Sequence, residues 1–328
     1  MNDSALVTDE TRAKIREVAA RMWYTPHGAA RSLITRRTHT IGVLLPDLYG
    51  EFFSEVIRGI DLTAQHSGYH CLVSSARHDG PRLEAALRSM RGRVDGLVLM
   101  SPEFTGELSH RTLPGGFPVV LLNCPPSELD CDSLTVANYE GAYAMVRHFV
   151  GLGHRRIALI NGAAGNFDAA ERRRGYHVAL RDAGLPAMPE LEIQGDFTEE
   201  SGHAAALALL ALADRPTAIF AANDCMAIGA LSGLRDRRVL VPEDIAIGGF
   251  DDIPMARYVV PALTSVHVDI SALGEQAAGR LLAKLHHPAN VEISRETHPT
   301  TLVVRKSCGA QNGSSSVSAS TPPRRSVV

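Results

Sequence analysis

What most constrains this chain is an alternation. Short apolar runs are separated by amphipathic stretches: IGVLLP (41–46), an amphipathic segment over 52–64, HCLVSSA (70–76), RLEAALRSMR (82–91), DGLVLM (95–100), FPVVLLN (117–123) and SLTVAN (133–138). Runs this short and apolar suit strands buried on both faces, and the segments between them suit crossover helices. Such a succession needs a parallel sheet, because each helix carries the chain back over one face before the next strand begins. The pattern restarts at RRIALING (155–162), with helices over 169–183 and 200–213, TAIFAAN (217–223), a helix over 224–236 and DIAIGGF (244–250). LTSVHVD (263–269) reads as a strand, 270–286 as a helix and TTLVVRKS (300–307) as a last strand. The expected fold class is α/β, with two doubly wound parallel-sheet lobes, and 328 residues suffice for two such cores.

A different segment precedes the alternation. Residues 8–23 read as a helix: Thr8 can cap it, Asp9 and Glu10 sit in its first turn, and Ile15, Val18, Ala19 and Met22 fall on one face. Pro26 ends it, and 27–34 is a second helical stretch too short to stand alone. Residues 1–40 carry seven Lys or Arg against four Asp or Glu, although the whole chain has a net charge of −3. A basic leader on an acidic core suits a polyanionic partner at one end, and a merely solvated helix face would carry the same charges. The tail over 308–328 is rich in Ser, Pro and Gly, and is expected to be disordered.

Several function classes lose support. No apolar run approaches the ~20 residues that span a bilayer, and the amino terminus has no signal-peptide core. No membrane contact and a cytoplasmic location are expected. The five cysteines show no metal-ligand spacing and read as reduced, buried thiols. His66 and His70 have no third ligand nearby in sequence, and His286-His287 close a helix, where they suit its negative end. There is no phosphate-loop, nucleophile-elbow or zinc-protease motif, so no catalytic residue, metal or cofactor is expected.

Seven motifs carry a resemblance: V-T-x-x-T-R (7–12), Y-x-P-x-x-x-A-R-S-L (24–33), T-I-G-V-L-x-P-D (40–47), V-D-G-L (94–97), R-R-x-G-Y (172–176), A-N-D-x-x-A-x-G (222–229) and G-F-D-D (249–252). In this order and spacing the chain resembles the lactose-repressor (LacI/GalR) family of bacterial transcription regulators, from Asn2 to about Lys306. The resemblance implies a partial all-α helix-turn-helix headpiece and hinge over 1–40. An effector-binding, periplasmic-binding-protein-like core would occupy 41–307, with lobe one about 41–138 plus 269–299 and lobe two about 139–268 plus 300–307. The family headpiece reads the major groove with its second helix. Here the chain opens where that helix should already have ended, and Met1-Asn2 resembles the end of the family's V-S-R-V-L-N stretch, so about 20 residues, or two short helices and a turn, are expected to be missing. Trp23 stands where the family favours Gly or Asn, and is expected to pack against the missing helices.

Residue roles follow in two ways. In doubly wound sheets, ligands bind outside the carboxyl ends of strands, which favours Asn123, Asn223 and Asp251, with Asp47 and Phe52 just beyond the first strand. Each also fits a plain strand-end turn. The resemblance adds Arg172 as the effector-binding arginine, whose planar fork can hold two oxygens at once. Arg173 and Arg174 read as surface residues, and Met100 and Val268 as an apolar edge of the pocket. The resemblance also implies DNA contact by Leu33, as a minor-groove wedge, and by Arg31, Ala30 and His27.

The expectation is a ligand-responsive, DNA-binding transcriptional regulator, a repressor that is not an enzyme. A small molecule, a sugar or similar polar metabolite, would bind between the lobes and change operator affinity. Operator DNA, that effector and a second copy in a homodimer are the expected partners. No heptad tail follows Lys306, so a coiled-coil tetramer is not expected. The alternative is a solute-binding protein, or an effector-binding core without DNA binding.

Overall fold

The computed structural model describes residues 8–22, 37–76, 80–101, 104, 106–124, 129–287 and 292–310. Helix α1 (Asp9–Arg21) stands ahead of the core, and the Thr11 amide donates to Thr8 Oγ1 at 3.4 Å, which caps it. Its apolar positions Ile15, Val18 and Met22 are exposed. The hinge helix over 27–34, Trp23, and the DNA contacts at His27, Ala30, Arg31 and Leu33 lie outside the described residues.

The first sheet contains β1 (Thr40–Leu45), β2 (His70–Ser75), β3 (Gly96–Leu99), β4 (Val119–Leu122), β5 (Asp132–Val136) and β11 (Arg295–His298), in the order β11-β5-β4-β3-β1-β2. All its pairings are parallel. Helices α2 (Glu51–His66), α3 (Gly80–Met90), α4 (Gly106–Thr112) and α9 (Ile270–His286) flank it. Alternate strand residues supply separate cores. Ile41, Val43, Val98, Val120 and Leu122 join one, with Val56 and Ile60 of α2. Leu44, Leu97, Leu99, Val119 and Leu121 join the other, with Leu83 and Leu87 of α3. This two-sided burial is why the strands read as unbroken apolar runs.

The second sheet contains β6 (Ile157–Asn161), β7 (Glu192–Gln194), β8 (Ala218–Ala221), β9 (Ala246–Asp251), β10 (Thr264–His267) and β12 (Thr301–Val303), in the order β12-β10-β9-β8-β6-β7. Only β12 runs antiparallel to its neighbour, β10. Helices α5 (Asn138–Gly151), α6 (Phe167–Asp182), α7 (Glu199–Leu210) and α8 (Asp224–Asp236) pack with it. The chain crosses between sheets after β5, after β10 and between β11 and β12.

Four expectations need correction. Helix α5 forms where a strand was expected to end at 138; Ala142, Met145, Val146 and Phe149 are buried at helical spacing, behind a polar NYEG start. The last strand stops at Val303, and Lys306–Cys308 is a 3-10 turn. Cys308 does not begin a disordered tail: it is buried, with its Sγ 3.3 Å from His148 Nε2. Three of the five thiols, Cys71, Cys131 and Cys225, are only partly buried because they sit at sheet or helix margins rather than in the apolar layers.

Helix α9 meets both the leader and α2. Helices α2 and α9 meet at Gly59 and Gly274, where a side chain on either would strike the backbone of the other helix, at Ser271 or Val56. At the amino end of β1, the Asp95 carboxylate accepts from the Thr38 amide (2.7 Å), the Thr38 hydroxyl (2.8 Å) and the His39 amide (2.9 Å). Arg37 Nη2 donates to the Leu285 carbonyl at the end of α9.

Candidate functional site

The carboxyl ends of the strands in both sheets point to one region between the lobes. Contacts across it are direct. The Met255 amide, after β9, donates to Glu51 Oε2 at the start of α2 (2.8 Å), and Tyr49 Oη donates to Glu199 Oε2 at the start of α7 (3.4 Å). The Glu199 carboxylate raises the Tyr49 phenol above its ordinary value. Burial pushes the Cys124 thiol, beyond β4, up to about 12, and the Asp168 carboxylate of α6 in the opposite lobe adds to the rise.

Arg172 lies at the centre, on the buried face of α6. Its Nε donates to Asn138 Oδ1 (2.7 Å), its Nη1 to the Ala222 carbonyl, and its Nη2 lies 3.1 Å from Asp251 Oδ1. The guanidinium stacks on Phe250, 3.7 Å from the ring centroid. Asn138 completes a relay by donating from Nδ2 to Asp168 Oδ1 at 2.7 Å. Desolvation pushes both Asp168 and Asp251 up to about 6, and the neighbouring Arg172 cation restrains the rise.

Asp251 and Asp252 have φ of 101° and 54°, a conformation that costs a non-glycine residue about 1–3 kcal/mol and persists only when its surroundings enforce it. Here they do. The Asp252 carboxylate pairs with Arg305 Nη2 (2.6 Å) and His267 Nδ1 (3.1 Å), and its amide donates to Ser265 Oγ (3.1 Å). Burial would raise the Asp252 carboxyl, but its bonds from His267 and Arg305 leave it below its ordinary value. Asp224, fully buried beneath, accepts from Ser265 Oγ (2.6 Å) and the Ile253 amide (2.9 Å), and desolvation holds its carboxyl well above the usual range.

The remaining sequence candidates divide. Asn123 is also left-handed, with φ of 46°, and both ends of its buried side chain lack a hydrogen-bond partner among the described residues. A buried amide left open in a strained backbone asks for a partner, which a water or a ligand can supply. Asn223 is engaged at both ends: Oδ1 caps α8 by accepting from the Met226 amide (2.9 Å), and Nδ2 donates to the Phe197 carbonyl (3.0 Å). Asp47 turns onto its own loop, accepting from the Leu48 and Tyr49 amides (2.7 and 3.2 Å). Phe52 is half-buried, edge-on to Phe53. Met100 and Val268 are buried, 6% and 2% exposed, and Val268 lines a cavity together with Asp252, Tyr258 and His267. Arg173 and Arg174 are exposed, paired with Glu192 and Glu171. Among the described residues, no cluster of His, Cys, Asp and Glu is placed to hold a metal, and no helix is long and apolar enough to cross a membrane.

Sequence reasoning passed over Asp168, Asn138 and Phe197. The first two are ordinary helix-start residues by type, and only the tertiary fold brings them to Arg172. Phe197 has φ of 74° and lies against Gly162, where any side chain would collide with its ring. A lone aromatic between Gly195-Asp196 and the cap of the next helix was the available signal.

Similarity to known proteins agrees with this architecture. A periplasmic binding protein-like domain family matches residues 146–308. The HTH-type transcriptional repressor PurR of Erwinia tasmaniensis is 34% identical over 94% of this chain and 91% of its own length. Among solved structures, the Lac repressor bound to ONPG in its repressed state superposes with a TM-score of 0.82 at 27% identity, covering 93% of each chain. A transcriptional regulator from Enterococcus faecium with bound ribose superposes at 0.75 and 29% identity, over 82% of this chain and 98% of its own.

Proposed function

Because the chain belongs to the lactose-repressor (LacI) family of transcriptional regulators, we propose that it represses transcription by binding operator DNA as a homodimer, under control of a small polar metabolite held between its lobes. The observation that carries this reading is the buried Arg172–Asp251 pair at the carboxyl ends of one sheet, with a left-handed Asn123, open at both ends among the described residues, at a carboxyl end of the other. Arg172, Asp251 and Asn123 take the effector directly. Asn223 holds the Phe197 carbonyl, and Asp47 and Phe52 shape the opposing wall.

The leader over 1–40 joins the core at the other end of β1, where Asp95 grips Thr38 and His39. Effector bound at one end of the first lobe therefore acts on a leader fixed at its other end. It shifts the DNA-competent population only as far as its affinity differs between the two lobe arrangements. Leu33, Arg31, Ala30 and His27 supply the DNA contacts in this reading, and no catalytic activity is assigned. The solute-binding alternative has less support, because the relatives similar along nearly the whole chain are repressors.

The test is a thermal-shift screen of sugars, nucleosides and nucleobases against wild type and Arg172→Ala, with operator release measured for each hit. A ligand at a hundredfold excess over its Kd stabilises by about 2.7 kcal/mol. Hits that Arg172→Ala retains unchanged, or that never alter DNA binding, overturn the proposal.

A further inference from the structure

The end of the first sheet opposite the cleft carries a charge pattern that effector binding does not use. Strands β1, β2 and β3 are parallel, so their amino ends lie together. The helices that return between strands finish there as well: His66 closes α2, Met90 closes α3 and His286 closes α9. The chain enters the core at the same place, through Arg37, Thr38 and His39.

Three segments surround that entry. The Arg91-Gly92-Arg93 turn leads into β3, and Asp95, two residues on, grips Thr38 and His39 and donates its amide to the Thr40 carbonyl (2.8 Å). Gly92, at φ of 72°, ends α3 abruptly and leaves both arginines exposed. The turn after His66 leads into β2, where the His70 amide donates to the His39 carbonyl (2.9 Å). The end of α9 brings His286 to Tyr69, which also meets His39, with ring centroids 6.0 and 5.3 Å apart.

The carboxylates of this region are all committed or distant. Arg91 and Arg93 pair with none among the described residues. Asp95 is engaged by Thr38 and His39, Asp61 of α2 by Gln65, and Glu84 of α3 by Arg88 and Arg111. Asp130, Asp132 and Glu292 stand at the entries of β5 and β11, three and four strands from β1, which is about 14 Å or more at ~4.8 Å per strand. Solvated surface arginines are ordinary. Here they flank the entry of a basic leader into a core that is net negative.

Resting on the operator reading above, we propose that this amino-end face of the first lobe is itself a duplex contact, with Arg91 and Arg93 holding backbone phosphates beside those that the leader engages. A guanidinium fork matches two phosphate oxygens, and the exposed imidazoles of His70 and His287 add N–H donors at the margin. Such contacts fix position without reading sequence. Rotation of the first lobe then reaches the duplex directly as well as through the leader.

The test is fluorescence anisotropy of the whole chain on a labelled random-sequence duplex, from about 50 to 200 mM salt. Wild type is expected to bind. Arg91→Ser/Arg93→Ser should bind about fivefold or more weakly at the low-salt end, with the slope of log affinity against log salt shallower by about 1–2, since each lost phosphate contact removes about 0.9. Arg91→Lys/Arg93→Lys should keep most of the affinity and slope, and Arg91→Glu/Arg93→Glu should bind more weakly than the serine variant. Arg237→Ser/Arg238→Ser removes the same charge from an exposed turn of the second lobe and should stay within twofold of wild type. Thermal melts check that each variant is folded. The proposal is overturned if the serine variant keeps the wild-type slope, or if the second-lobe variant loses as much. It also fails if phosphatidylserine vesicles, and not the duplex, bind in an Arg91- and Arg93-dependent way. A wild type that binds no duplex defeats the operator reading and this proposal together, whereas duplex binding indifferent to Arg91 and Arg93 defeats this proposal alone.

Discussion

Arg172 and Asp251 form a buried ion pair, 3.1 Å between Nη2 and Oδ1, with side chains only 4% and 7% exposed. Breaking such a pair from one side costs about 3–5 kcal/mol, because a charge is left unpaired in a poor solvent for it. The two sides are not equivalent here. Without Arg172, two carboxylates face each other with no cation between them. Without Asp251, Arg172 still has Asp168 nearby. Arg172→Met should therefore destabilise the protein by about 3–5 kcal/mol, and Asp251→Asn by clearly less, in urea unfolding at pH 7. Equal losses would mean that Asp168 does not share the guanidinium.

The same carboxylates set a pH dependence. Asp168 and Asp251 are pushed up to about 6 in the folded protein, against an ordinary value of about 4 in an unfolded chain. Between these values the folded state holds more protons than the unfolded state, so their contribution to stability falls as pH rises from about 4 to 6 and is level above that. Asp168→Asn and Asp251→Asn should each flatten this part of a Tm-against-pH curve. Affinity for a hydroxyl-donating ligand should run the other way and rise through pH 6 as the acceptors ionise. A ligand whose affinity is flat from pH 5 to 7.5 does not bind these carboxylates.

Much of this was legible from the residues alone, and the gaps have physical causes. Strands β1, β3, β4, β8 and β9 are buried on both faces, so their apolar runs stood out. The short edge strands β7 and β11 did not, since EIQ and RETH are polar segments recruited only by pairing with Leu159 to Asn161 and Ser133 to Val136. Arg172 and Asp251 were reachable through a motif and a strand end. Asn138 and Asp168 were not, because each stands in the first turn of a helix, where its type is ordinary, and their hydrogen bond spans 30 residues of sequence. Asn223 had the right position, but the same side chain that suits a ligand also caps α8.

Helices α2 and α9 connect the cleft to the leader through one tight crossing. Glu51, at the start of α2, receives the Met255 amide, and Leu285, near the end of α9, receives Arg37. Between them Gly274 sits against the Val56 carbonyl, with no room for a methyl. Gly274→Ala must push the helices apart, and overpacking of this kind costs about 1–3 kcal/mol. The expected signature is a lower Tm with effector Kd nearly unchanged but a reduced effect of effector on operator affinity. If the coupling between the two ligands is intact despite the lower Tm, the crossing is structural only.

Asp95 is the anchor of the leader, and its removal should separate binding from response. Its carboxylate takes three hydrogen bonds from Thr38 and His39, and His39 is held at φ of 51°. Asp95→Ala leaves two backbone amides without that acceptor. Partly buried donors of this type cost about 1–3 kcal/mol when left unsatisfied, a loss that local fraying can relieve. The leader junction should therefore fray while the core stays folded. Hydrogen exchange at residues 37–41 should speed up by tenfold or more, and proteolysis ahead of Thr40 should accelerate. Asp95 is at the amino end of the sheet and the cleft at its carboxyl end, so effector affinity should change by less than threefold. Operator release by effector should become shallower, because movement of the first lobe no longer carries the leader with it. Unchanged exchange at 37–41, or a Kd for effector that collapses with Asp95→Ala, contradicts this division of labour between the two ends of β1.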